Sequence, residues 1–321
     1  MSELLVLAHD EVRRLLPMDQ CIELMAAVLA DFARGHVWQP LRSVMRPPEQ
    51  PSLLGLMPAH RSEPRRAYAL KAVCVFPENP SRGLDAHQGG VLLFDGETGE
   101  LQALIDGSAV TAVRTAAVSA VATRELARED AKDLAILGAG VQARSHLEAL
   151  PHVREFERVR IWSRTPEHAQ AAAAGSSLPI EVVDGAEAAV RGASVLVTAT
   201  SSREPIVDRD WLAPGAHINA VGSSIPTTRE LDTETMASAA LFCDARESLV
   251  NEAGDYLLAG LRPERIRAEL GEVLIGEAEG RRDPDELTVF KSLGLAVEDL
   301  AAAERVYERA RAEGLGTAVP F

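Results

Sequence analysis

Over 321 residues, 48 acidic against 33 basic side chains give a formal charge of −15, a field that opposes nucleic acid and anionic membranes as partners. Apolar residues make up 46% and charged residues 25%, a balance that excludes a disordered or fibrous chain and leaves room for two modest domains. No run of about 18 apolar residues suggests a spanning helix.

Residues 10 to 35 read as one helix, with Leu15, Cys21, Leu24, Met25, Val28, Leu29 and Phe32 recurring on one face. From 41 to 106 the texture changes to short β-prone runs, RSVMR, SLLGLMPA, YALKAVCVF, GGVLLFD and LQALID, separated by Pro, Gly, Asn and Asp. FDGETGEL suggests a hairpin with Gly96 and Gly99 in turn conformations. Together these runs predict an antiparallel or mixed sheet. Residues 108 to 128 form a small-residue helix.

Strand and helix patterns then alternate. DLAILG precedes VQARSHLEAL, and VRIWS precedes PEHAQAAAAG, with Pro166 near a first turn. IEVV, SVLVTAT and HINAVG follow as further strands, a rhythm that predicts βαβ units and a parallel sheet. The chain closes with an Ala/Glu/Arg-rich helix from about 298. The expected fold is α/β: a Rossmann-type parallel-sheet domain beside a β-rich α+β domain.

The opening MSELLVLAHDEVRRLL lacks a basic segment, apolar core and cleavage site, so no signal peptide is expected. Cys21, Cys74 and Cys243 are far apart and odd in number, which suits a reducing cytoplasm. The eight histidines show no metal-ligand spacing, so no metal is expected.

Gly138-Ala139-Gly140-Val141-Gln142-Ala143 has the form GxGxxA between a strand and a helix. The first glycine permits the turn, the second lets the backbone approach a pyrophosphate, and Ala143 lets helix and strand pack closely. The helix then aims its free N–H groups at the phosphates. The next strand ends in Ser163, Arg164 and Thr165, where an NAD site would carry an acid. A guanidinium with two hydroxyls suits the 2′-phosphate of NADPH, with NADH as the other possibility.

With LKAVCVFPENP, LLFDGETGEL, AVTAVRTAAVSAVAT, INAVGSSIPTTRELD and LTVFKSLGLAVEDLAAA alongside that turn, the chain resembles the ornithine cyclodeaminase/mu-crystallin family over nearly its whole length. The resemblance implies a substrate-binding and dimerisation domain at 1–112 and about 298–321, a dinucleotide domain at 113–297, and a homodimer. It also implies that Arg42, Lys71 and Arg114 handle the substrate's carboxylate and nitrogen. Thr115, Thr200, Ser201, Val221 and Ser292 are cofactor-lining by resemblance alone.

The chemistry of the three cations agrees. Guanidinium forks grip a carboxylate, and a lysine in a closed site can donate a proton. Lys71 in an apolar strand and Arg114 in an Ala/Thr/Val run each need a partner or a task. Gly55, Met57 and His87 are further candidates near the pocket.

Cyclodeaminases and alanine dehydrogenases of the family carry an aspartate after the NAVG strand; this chain has Ser224 there. Serine is no general base at neutral pH without help. The resemblance therefore points to the ketimine-reducing branch, with a cyclic α-imino acid such as pyrroline-2-carboxylate or piperideine-2-carboxylate as substrate. The alternatives are a linear-imine or amino-acid dehydrogenase (iminosuccinate, alanine or arginine type), an ornithine cyclodeaminase, and a non-catalytic NADPH- and ligand-binding protein.

Overall fold

The computed structural model of the chain describes residues 3–321. Its elements run β1 (Glu3–Leu7), α1 (His9–Leu15), α2 (Met18–Ala33), β2 (Val37–Trp38), β3 (Ser43–Met45), β4 (Leu53–Arg61), β5 (Ala67–Val75), β6 (His87–Asp95) and β7 (Leu101–Asp106). There follow α3 (Gly107–Leu126), β8 (Asp133–Leu137), α4 (Val141–Ala149), β9 (Arg158–Trp162), α5 (Pro166–Ala174), β10 (Ile180–Val182), α6 (Ala186–Val190), β11 (Val195–Thr198) and β12 (His217–Ala220). The last are α7 (Thr233–Ser238), β13 (Ala240–Cys243), α8 (Arg246–Glu252), α9 (Gly254–Leu258), β14 (Ile266–Glu269), α10 (Leu270–Leu274), β15 (Thr288–Lys291), α11 (Ala296–Glu313) and β16 (Thr317–Pro320).

Two compact units emerge, one of Met1–Arg114 with Leu295–Phe321, the other of Thr115–Gly294. Two local expectations need correction. The stretch read as a single helix over 10–35 is broken, because Pro17 forces Leu16 out of helical geometry (φ −124, ψ 66) and then caps α2. In the β6–β7 turn only Gly99 is left-handed, at φ 74. Gly96 is needed for a different reason: a side chain there would overlap the Arg66 backbone.

The first unit holds a mixed sheet in the order β16-β1-β7-β6-β5-β4-β2, with β3 also on β4. β1 lies parallel to β7 and the other pairs are antiparallel. Alternation sends Met57, Ala59, Ala69, Lys71, Val73, Val91, Leu93, Ala103 and Ile105 to one buried face. α11 packs on that face, with α2 beside it.

The second unit is a parallel sheet in the order β10-β9-β8-β11-β12-β15-β13-β14. Strands β8 and β11 at its centre are apolar runs, Leu134, Ala135, Ile136 and Leu137 in the first and Val195, Leu196 and Val197 in the second, because a doubly covered sheet has no wet face. Arg160, fully buried on β9, donates to the carbonyls of Ala188 and Arg191 and pairs with Asp133, a structural arrangement.

Candidate active site

In the second unit the glycine turn follows β8 and opens α4. Gly138 is at φ 117, and a Cβ there would overlap the Ala199 carbonyl oxygen, so only glycine fits. Its N–H donates to Trp162 O at 2.8 Å, tying the ends of β8 and β9. Gly140 is the N-cap of α4, no side chain caps that end, and a Cβ there would meet nothing within 4 Å. Val141, in the first turn, is 37% exposed although apolar. Open space, uncapped N–H groups and a wet valine are what a bound pyrophosphate would cover. Ala143 is fully buried against the strand.

The other expected cofactor residues collect on the same edge, at the carboxyl ends of successive parallel strands. Ser163, Arg164 and Thr165 follow β9, Thr200 and Ser201 follow β11, Val221 follows β12 and Ser292 follows β15. Arg164 and Thr165 are exposed, and no acid replaces them at the end of β9. Ligands of open parallel sheets bind at this edge, near the strand where the order reverses, here between β8 and β11. Thr115 is buried on α3.

The first unit gathers cations on the inner face of its sheet. Lys71 is in register with Met57 on β4 and Val91 on β6, and it is 3% exposed. Its Nζ donates to Asp299 Oδ1 at 3.1 Å, and Arg114 Nε donates to the same oxygen at 3.2 Å. Arg114 Nη1 donates to Glu298 Oε2 at 2.8 Å.

Burial, then the charges of Arg114 and Arg42, pull the Lys71 ammonium down to about 8 against the opposing pull of Asp299. Arg42, immediately before β3, is thus close enough to be felt by Lys71. The exposed His87, at the start of β6, is held below the usual imidazole range by desolvation, then by Lys71 and Arg114. Burial pushes the nearby Cys21 thiol up, so it is not a nucleophile.

Arg42, Lys71, Arg114 and His87 are therefore brought together, with Met57 beside Lys71. Ser224 belongs to the second unit, in the loop after β12, where its N–H donates to Gly222 O. Glu298 and Asp299 were not anticipated. Acids in the first turn of a helix normally read as complements to the helix dipole, and that ordinary reading conceals their burial. Among the described residues no group of three or more His, Cys, Asp or Glu could hold a metal ion, and no helix is long and apolar enough to cross a membrane.

A cationic face and a dinucleotide edge in one chain match a single family pattern: that of the ornithine cyclodeaminase/mu-crystallin family covers residues 2–314. The chain belongs to this family. The ketimine reductase mu-crystallin of Rattus norvegicus is 44% identical over 306 residues, spanning 94% of this chain and 96% of the rat protein. The Thermococcus litoralis Delta(1)-pyrroline-2-carboxylate reductase, solved with NADH and L-proline, superposes with a TM-score of 0.96 at 36% identity, covering 98% of this chain and 100% of the other. An archaeal alanine dehydrogenase dimer with bound NAD gives 0.93 at 32% identity, with both chains covered fully. Family members thus share this fold from end to end.

Proposed function

We propose that the chain is an imine reductase that uses a nicotinamide cofactor to convert an α-imino acid, preferably a cyclic ketimine such as pyrroline-2-carboxylate or piperideine-2-carboxylate, into the amino acid. The observation that carries this reading is the buried Lys71–Asp299–Arg114 cluster, in which a lysine titrating near pH 8 stands among arginines. The ketimine reductase activity of the rat relative and the proline-bound Thermococcus structure support the same class of substrate. The archaeal alanine dehydrogenase keeps a linear imine as the second reading.

Reduced nicotinamide, when bound, supplies the hydride. Gly138, Ala139, Gly140, Val141 and Gln142 would hold its pyrophosphate, and Thr200, Ser201, Val221 and Ser292 would line the remainder. Arg42 and Arg114 hold the substrate carboxylate by paired hydrogen bonds. Lys71 donates a proton to the imine nitrogen, so that C=N gains one hydride at carbon and one proton at nitrogen. Asp299 aims the ammonium and keeps it charged. Ser224 offers no base for activating water, which separates this chemistry from deamination.

The preference we assign is NADPH, from Arg164 with Ser163 and Thr165 after β9. We also assign a cytoplasmic location, from the three unpaired cysteines, and a homodimer. The dimer reading rests on the outer face of the first unit's sheet, where Tyr68 is 49% and Leu104 37% exposed. Tyr68 is in register with Phe94, and Leu92 with both Leu70 and Leu104, making one continuous apolar surface.

The deciding experiment follows nicotinamide oxidation with pyrroline-2-carboxylate, piperideine-2-carboxylate, iminosuccinate, and pyruvate with ammonia, using both NADPH and NADH. Fastest turnover of a cyclic imine with NADPH is expected. Turnover of ornithine to proline instead, or tight cofactor binding with no turnover of any imine, would overturn the reading.

A further inference from the structure

The second unit buries three ionisable side chains that the mechanism above does not use. Glu230, Asp255 and Lys291 are each fully buried. Lys291 Nζ lies 3.1 Å from Asp255 Oδ2 and donates to Ala220 O at 3.1 Å, at the end of β12. Asp255 Oδ1 accepts from the backbone N–H groups of Glu230 and Leu231 at 2.7 and 3.0 Å. Glu230 then spreads its carboxylate over two loops. Oε1 accepts from Thr200 N and Thr200 Oγ1, both at 2.7 Å, and Oε2 accepts from Gly222 N at 2.8 Å.

Two acids face one ammonium here, and burial and then the Asp255 charge push the Glu230 carboxyl up, a cost that an apolar cluster of equal volume would avoid. What the arrangement supplies is geometry. Thr200 follows β11 and Gly222 follows β12, and a Cβ at Gly222 would overlap both Thr200 O and the Glu230 carboxylate. Ala199, the neighbour of Thr200, is the residue against which Gly138 is packed. Contact therefore runs without a gap from Glu230 through the β11 loop to the glycine turn.

Resting on the cofactor reading above, we propose that Glu230, braced by Asp255 and Lys291, is a positioning residue for the nicotinamide half of the cofactor. Residues 163–165, after β9, lie on the other side of the glycine turn, where the adenosine half belongs. The loops held by Glu230 lie on the β11 and β12 side, beyond the point where strand order reverses. Removing the clamp frees one side of the crevice and leaves the other intact.

The test compares Glu230→Gln with wild type for binding of NADPH and, separately, of 2′,5′-ADP, by fluorescence titration and calorimetry, with melting temperature alongside. The amide keeps the shape and turns an acceptor into a donor against an N–H group. About tenfold weaker NADPH binding is expected, with 2′,5′-ADP affinity unchanged within about twofold. Asp255→Asn, which breaks the ion pair with Lys291 and touches no residue assigned to the cofactor, should give a smaller loss of the same selectivity; it decides the question if Glu230→Gln does not fold. Equal losses for both ligands, or none for either in a folded variant, overturn the proposal. Wild-type protein that binds neither ligand overturns the cofactor reading itself.

Discussion

Lys71 is charged where charge is expensive, and its pKa records that. Its value of about 8 in the fold lies below the ordinary 10.5. Since the unfolded chain holds that proton more tightly, the buried ammonium subtracts stability below about pH 8, and the penalty fades as pH rises toward 10.5. Lys71→Met should therefore fold at least as well at pH 7 and reduce imines about 100-fold or more slowly, as turnover and thermal melts would reveal. Asp299 raises the lysine's pKa, so Asp299→Asn should move the fall in turnover to lower pH, read from a rate profile between about pH 6 and 10. A profile that stays in place would detach Asp299 from proton delivery. In the second unit, Arg164→Ala should raise the Michaelis constant for NADPH about tenfold and spare that for NADH.

The glycine turn shows how one strand-to-helix junction assigns different duties to two similar residues. Gly138 is left-handed and pressed against Ala199, whereas Gly140 has ordinary φ (−77) and empty space beyond it. Gly138→Ala should lower the melting temperature, at a cost of about 1–3 kcal/mol, and weaken cofactor binding as well. Gly140→Ala should leave the melt unchanged and weaken NADPH binding alone, because its methyl enters the space of the pyrophosphate. The GxGxxA spacing and its flanking periodicities were legible in sequence because they are local. The break at Pro17 was legible in principle, since proline excludes helix from the residue before it, but the apolar repeat ran across the break and hid it.

Across the molecule, acid sensitivity is concentrated in buried neutral imidazoles. His146 Nδ1 donates to Gln142 O and Nε2 accepts from Ser119 Oγ, and burial pulls its pKa to about 4. His217 is pulled to about 3 by burial and the Arg281 charge. The unfolded chain takes up these protons near pH 6.5, so stability present above that pH should be lost as pH falls through 4, by roughly 3 kcal/mol for His146 alone. Denaturant melts between about pH 7 and 4 would show it, and His146→Gln should flatten the decline. The outer sheet face of the first unit makes a second prediction at this scale: wild-type protein should sediment as the proposed dimer in analytical ultracentrifugation, and Leu70→Glu or Leu104→Glu as a monomer. A single wild-type species of monomer mass would end the dimer assignment.

Sequence alone determined the βαβ rhythm, the glycine turn, the lack of an acid after β9, and a lysine and an arginine stranded in apolar surroundings. Each follows from backbone periodicity or from the cost of burying charge, properties of short segments. Only the tertiary structure decided what those cations face. Asp299 lies 228 positions from Lys71, and Glu230, Asp255 and Lys291 span three separate stretches. The pairing of charges so distant in the chain depends on which strands neighbour one another. β1 beside β16 and β15 between β12 and β13 are choices that no local pattern encodes.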